Sequence, residues 1–89
     1  MNSYLDEDFI KYFNKLPERI KKRSKKVYRQ WKENPFEPRF QFKQVHNSKP
    51  IYSVRVNIGW RALGYKKNNT VLWFWIGSHE DYNKIITQF

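Results

Sequence analysis

Eighty-nine residues suffice for one small hydrophobic core, so the chain is read as one domain, residues 1–89. A composition that is 39% hydrophobic, with 4 Trp, 6 Tyr and 7 Phe, can fill that core, and the lack of cysteine excludes disulfides, thiolate zinc sites, iron–sulfur clusters and a Cys nucleophile. Eighteen Lys and Arg against eight Asp and Glu leave a formal net charge of +10, which points to a polyanionic partner, either nucleic acid or an acidic protein.

Ser3 is suited to cap a first helix whose opening turn carries Asp6, Glu7 and Asp8 at the positive end of the helix dipole. Leu5, Phe9, Tyr12, Phe13 and Leu16 then recur along one side of that helix and face a core. Pro17 breaks the helix and opens a second one, in which Leu16, Ile20, Val27 and Trp31 form a stripe interrupted by Ser24. Basic residues cover the rest: between Lys11 and Lys32 stand ten of them and one acid, Glu18. Asn34-Pro35 ends the helix.

Beyond Pro38 the period becomes alternating. Phe40 and Phe42 share one strand face, while Tyr52, Val54, Val56 and Ile58 point inward and Ser53, Arg55 and Asn57 point outward. Trp60 to Lys66 and Val71 to Ile76 read as further strands, joined by hairpin turns at 57–59 and 67–69. Ser78 and Asp81 resemble a capping box for a short last helix through Ile85 and Ile86. The expected fold class is α+β: two N-terminal helices packed on one face of a four-stranded antiparallel sheet, with a short C-terminal helix. The other face is left free and basic, because Arg39 to Lys67 holds seven basic residues and no carboxylate stands between Pro38 and His79. The longest apolar run, Val71 to Ile76, is far shorter than the roughly 20 residues of a membrane-spanning helix, and the N-terminus is acidic where a signal peptide is basic. A cytoplasmic location and no membrane partner are expected.

Metal-dependent cleavage of a nucleic acid needs converging carboxylates, and the sheet region has none; His46 and His79 alone are too few for zinc, so no metal or other cofactor is expected. Guanidinium, ammonium, imidazole and phenol groups remain. These could cleave RNA by using its own 2′-hydroxyl, given a base, fixed cations at the five-coordinate phosphorus and an acid for the departing 5′-oxygen. Arg55 and Arg61, on neighbouring strands of one hairpin, suit the cationic role, and His79 and Tyr82 suit the proton transfers. Lys43, His46 and Lys49 would hold the RNA, with Trp60 beside Arg61 as a stacking surface. Plainer readings stand beside these: Arg55 and Arg61 as solvated sheet residues, His79 as a first-turn helix residue, and Tyr82 packed on Trp75. Trp73 and Trp75, of one parity in a central strand, read as core. The basic second helix is equally a solvated face, an RNA surface or a landing site for an acidic protein.

Leu16-Pro17, Asn34-Pro35, Phe42-Lys43, Tyr52 to Val56, Gly59 to Leu63 and Trp75 to Tyr82 together resemble, over nearly the whole chain, the RelE/ParE superfamily of toxin–antitoxin toxins. The resemblance implies a small toxin held inactive by an antitoxin, here expected to be acidic. In the RelE branch such a toxin enters the ribosomal A site and cuts messenger RNA; in the ParE branch it poisons DNA gyrase without being a nuclease. It also implies catalytic roles for Arg55 and Arg61, matches His79 to a histidine of YafQ-like members and Tyr82 to a late aromatic. The chain departs from the pattern at Ser53, where RelE-like toxins carry a second lysine, in a shorter run between His79 and Tyr82, and in an N-terminal strand that is missing or reduced to a few residues. A metal-independent endoribonuclease acting on messenger RNA is the preferred expectation. A gyrase inhibitor and an inactive RNA- or ribosome-binding module are the alternatives.

Overall fold

A computed structural model describes residues 1–89, which form β1 (Asn2–Leu5), α1 (Glu7–Asn14), α2 (Glu18–Glu33), β2 (Lys43–Gln44), β3 (Ile51–Asn57), β4 (Trp60–Lys67), β5 (Thr70–Ser78) and α3 (His79–Ile85), with 3-10 turns at Pro38–Phe40 and Ile86–Gln88. The strands lie in the order β1-β5-β4-β3-β2. β1 runs parallel to β5, and every other pairing is antiparallel.

The sheet therefore has five strands where the sequence reading expects four. Ser3 does not cap a helix; it lies in β1, where its hydroxyl accepts a hydrogen bond from Trp73 Nε1 (3.0 Å) and bonds to the Tyr28 hydroxyl (2.6 Å). Asn2 N–H donates to Asn69 O and Asp6 N–H to Trp73 O, both at 2.8 Å, so both ends of the segment are tied to β5 and the chain stays extended until α1 starts at Glu7. A four-residue parallel edge strand satisfies only part of its backbone through the sheet, and these flanking bonds complete the ladder.

The stripe on α2 is as expected: Ile20, Ser24, Val27 and Trp31 are its buried residues. Ser24 is tolerated there because its hydroxyl donates to Ile20 O one turn back, at 2.7 Å. With Leu16, Phe40, Val54, Val56, Ala62, Val71, Trp73 and Ile76 these apolar side chains form the main core, and Phe9 and Phe13 of α1 pack against it from a half-buried position. Phe40 and Phe42 do not share a strand. Gln41 between them is left-handed (φ 46°), which turns the chain so that Phe40 enters the core from a 3-10 turn and Phe42 packs edge-on against Trp31.

The opposite face is not free. Ile51, Leu63 and Trp75 make a second, smaller core that is covered by Tyr82, Ile85, Ile86 and Phe89. A β-bulge creates it: Leu63 pairs with Trp75 but Gly64 pairs with Trp73, so Phe74 is an extra residue and Trp73 and Trp75 fall on opposite faces despite their equal parity. A second bulge separates the pairs Arg55–Arg61 and Asn57–Trp60, leaving Val56 without a partner. It takes Ile58 out of the inward set, while Ser53 keeps the expected outward direction but is buried because that face is covered. Ser53 is 4% exposed, because it faces the second core's side of the sheet, whereas Ile58 lies in the hairpin turn and is 82% exposed.

Candidate functional site

Register places the proposed cations. Arg55 and Arg61 are direct cross-strand partners, and Arg61 is in turn opposite Gly77, so the three lie in one row on the sheet face away from α1 and α2. Gly77 gives the row a bare floor beside the Trp75 ring; a Cβ there would stand 2.6 Å from that ring. The backbone N–H of His79 donates to Gly59 O at 2.7 Å, which ties the start of α3 to the β3–β4 turn. The Ser78 hydroxyl accepts from Asp81 N–H at 3.1 Å, the cap the sequence suggests. These two bonds carry His79 and Tyr82 to the end of the sheet where Arg55 and Arg61 stand.

Arg61 is half-buried, and its Nη1 donates to Asn57 O (2.6 Å) and Trp60 O (3.0 Å). Burial, and secondarily the neighbouring Arg55, hold its pKa below the ordinary arginine value, while Tyr82 acts weakly in the opposite sense. The group remains a cation at neutral pH. Arg55 and Arg61 stand together and neither belongs to the two ion pairs of the molecule, Lys21–Glu18 and Arg39–Glu37, an arrangement chemically suited to an anion. His79 is exposed, its ring 5.8 Å from that of Tyr82 and its Nδ1 3.4 Å from Asn83 Nδ2. Tyr82 also packs on the second core, so it both touches Trp75's cluster and faces the site.

The residues expected to hold RNA are only partly brought together. Lys43 is opposite Ser53, on the same face as Arg55 and next to it along the sheet. Trp60 pairs with Ser78 beside the site, but its ring packs against the main core. His46 and Lys49 lie toward the other end of β3, in the β2–β3 loop. Both nitrogens of the His46 ring are occupied there: Nδ1 accepts from the N–H of Ser48 and Lys49 (3.1 and 2.9 Å), and Nε2 reaches Phe89 O at 3.2 Å. His46 thereby holds the loop and the C-terminus. No three His, Asp or Glu side chains stand close enough to share a metal ion. The sequence reading missed Arg23 and Arg39, which line a cavity with Arg55; their positions in sequence carry no periodic signal linking them to β3.

A five-stranded sheet with helices packed on it matches the fold of RelE-like toxins. A model of the ParE-like toxin domain matches residues 18–84, and the chain belongs to that family. No curated protein matches its sequence significantly. Among solved structures, it is similar to the RelB–RelE antitoxin–toxin complex from Methanococcus jannaschii, with 13% identity, a TM-score of 0.73 and 92% of this chain and 96% of that chain covered. It is likewise similar to YafQ from E. coli strain BL21(DE3) (14% identity, TM-score 0.72, 91% and 96% covered) and to the intact E. coli RelBE toxin–antitoxin complex (18%, 0.63, 85% and 93%). No helix is long and apolar enough to cross a membrane.

Proposed function

We propose that this toxin acts in the cytoplasm as a metal-independent endoribonuclease on messenger RNA. The observation that carries the reading is the cross-strand pair Arg55–Arg61, with neither guanidinium in an ion pair, beside the start of α3 that bears His79 and Tyr82. The 2′-hydroxyl of the RNA attacks the adjacent phosphorus, the bond to the 5′-oxygen breaks, and the products are a 2′,3′-cyclic phosphate and a 5′-hydroxyl. Arg55 and Arg61 stabilise the added negative charge of the five-coordinate phosphorus. His79 and Tyr82 carry the two proton transfers, one from the 2′-hydroxyl and one to the 5′-oxygen. Lys43 projects beside Ser53 and supplies an ammonium group next to the position where RelE-like toxins carry a lysine; a lysine at position 53 itself would be buried.

The inhibitory partner is an acidic antitoxin. A groove of about 280 Å³ between α1 and α2 supports this, since Phe9, Phe13, Tyr28 and Trp31 line it and ammonium groups stand over its aromatic rim, Lys25 over Phe13 (5.9 Å) and Lys32 over Tyr28 (4.7 Å). An amphipathic segment with an apolar face and acidic flanks fits such a surface.

Inducing the chain with and without its neighbouring small open reading frame, and mapping transcript ends, tests the reading. Growth arrest relieved by the neighbour and new internal ends carrying 5′-hydroxyls are expected. Arg55→Gln and Arg61→Gln should each reduce cleavage by about 100-fold or more, as loss of one oxyanion-type donor does elsewhere. The match to the ParE-like domain and the absence of a lysine at Ser53 favour a second reading, inhibition of DNA gyrase. Intact transcripts with blocked supercoiling after induction select it.

A further inference from the structure

Beyond Ser53 the outer edge of β3 has no strand partner, because β2 pairs only with Tyr52 and Ser53. At that edge a cavity of about 150 Å³ lies between β3, α2 and the Pro38–Phe40 turn, lined by Arg23, Arg39 and Arg55 with Gln30 and Asn57. Three elements far apart in sequence each deliver an arginine to it. Arg39 is paired with Glu37 (2.6 Å), whereas Arg23 and Arg55 have no carboxylate partner. The bulge at Val56 anchors a guanidinium through each of two successive carbonyls: Arg23 Nε donates to Val56 O (3.4 Å) and Arg61 Nη1 donates to Asn57 O (2.6 Å). Arg55 borders both groups, pairing with Arg61 in register and lining the cavity with Arg23.

We propose that this cavity is a second phosphate-binding site, which holds a phosphodiester of the substrate strand next to the one being cleaved, so that single-stranded RNA crosses the open edge of β3 from Arg61 and Arg55 to Arg23 and Arg39. The identity of the strand rests on the ribonuclease reading; the preference for phosphate rests on the cavity. Unpaired guanidinium groups at a concave, partly desolvated edge bind a tetrahedral oxyanion through forked hydrogen bonds. Asn57 adds a neutral polar group to the lining. The site would explain why the edge of β3 is left without a strand partner where β2 ends.

Arg23→Gln, Arg39→Gln and the double variant in the full chain test the proposal. The measurement is binding of an uncleavable 2′-O-methyl hexaribonucleotide over a series of salt concentrations, together with an inorganic phosphate titration followed by NMR of the arginine Nε–H signals. The double variant is expected to bind the hexanucleotide about tenfold more weakly, and each lost contact should flatten the log–log salt slope by about 0.7. Arg23→Lys, which keeps the charge, should keep the slope, and phosphate should shift the Arg23 and Arg39 signals of the parent protein. An unchanged slope with unmoved signals overturns the proposal. So does a loss seen only with ribosomes and not with the free oligonucleotide, or a loss of neutralisation by the antitoxin with RNA binding intact. The two readings fail separately: a flattened slope without any new transcript ends overturns the nuclease and leaves the phosphate site standing, whereas cleavage with an unaltered slope overturns the site.

Discussion

At the scale of single residues the site is built on unfavourable electrostatics that an anion would relieve. Arg61 is held below its ordinary pKa by burial and by Arg55, so the charged form is disfavoured in the folded state. The sign follows from linkage: a base whose folded pKa is depressed loses stability wherever both folded and unfolded states are protonated, and regains it only above both values. For an arginine, the whole neutral range lies in the penalised region. Arg55→Gln removes the repulsion, so its thermal midpoint should be no lower than the parent's while its cleavage is lost; a marked fall in midpoint would mean that Arg55 serves the fold instead. His79 separates in the same way. Its side chain is exposed and only its backbone N–H ties the turn, so His79→Ala should leave the midpoint nearly unchanged and reduce cleavage by about 100-fold or more. Full cleavage in that variant would remove His79 from the mechanism.

At the scale of elements, two bulges and two glycines set which side chains meet. A Cβ at Gly77 would lie 2.6 Å from the Trp75 ring, and one at Gly64 would lie 2.7 Å from Val71 Cγ1 and 2.8 Å from Trp73 Cε3. Both sites are packed by ring or branched side chains that have little room to move, so Gly64→Ala and Gly77→Ala should each cost about 1–3 kcal/mol. Thermal melts should read this as a fall of about 4–8 °C per kcal/mol for a domain of this size. Gly59→Ala is the control, since its nearest neighbour would be 3.9 Å away and its backbone is not left-handed, and its midpoint should stay close to the parent's. The same features explain what could be read from the sequence. Strands β3 to β5 and the Ser78 cap were legible because alternation, hairpin turns and capping chemistry are local signals. β1 was not, because a four-residue parallel edge strand has no alternation to show and its acidic sequel imitates a helix start. The bulge at Phe74 was invisible too, as parity assumes an unbroken strand, and with it went the second core and the covering of the rear face by α3. Arg55, Arg61, His79 and Tyr82 could be grouped from hairpin register and helix start. Arg23 and Arg39 reach the β3 edge only through tertiary packing, and nothing in their neighbours announces it.

At the scale of the whole molecule, the charge is divided between two surfaces of different character, which suits them to the different partners proposed. The proposed phosphate contacts lie at the Arg55–Arg61 end, whereas the α1–α2 groove is apolar at its floor and cationic only at its rim. Ile10 also lines the groove and is 41% exposed, so a charge there can stay solvated in the free protein. Ile10→Asp should therefore fold with a midpoint near the parent's and remain toxic on induction. It should be poorly neutralised by the co-expressed antitoxin, because a carboxylate would meet the apolar face and acidic flanks of the incoming segment at the cost of desolvation and like-charge repulsion. Ile10→Lys separates the two causes: it disturbs the apolar contact equally but attracts the acidic flanks, and its loss of affinity should be smaller than that of Ile10→Asp at low salt and converge with it as salt is raised. Pull-down of the tagged antitoxin across a salt series reads this difference, and equal retention of parent and both variants would mean that the antitoxin binds elsewhere.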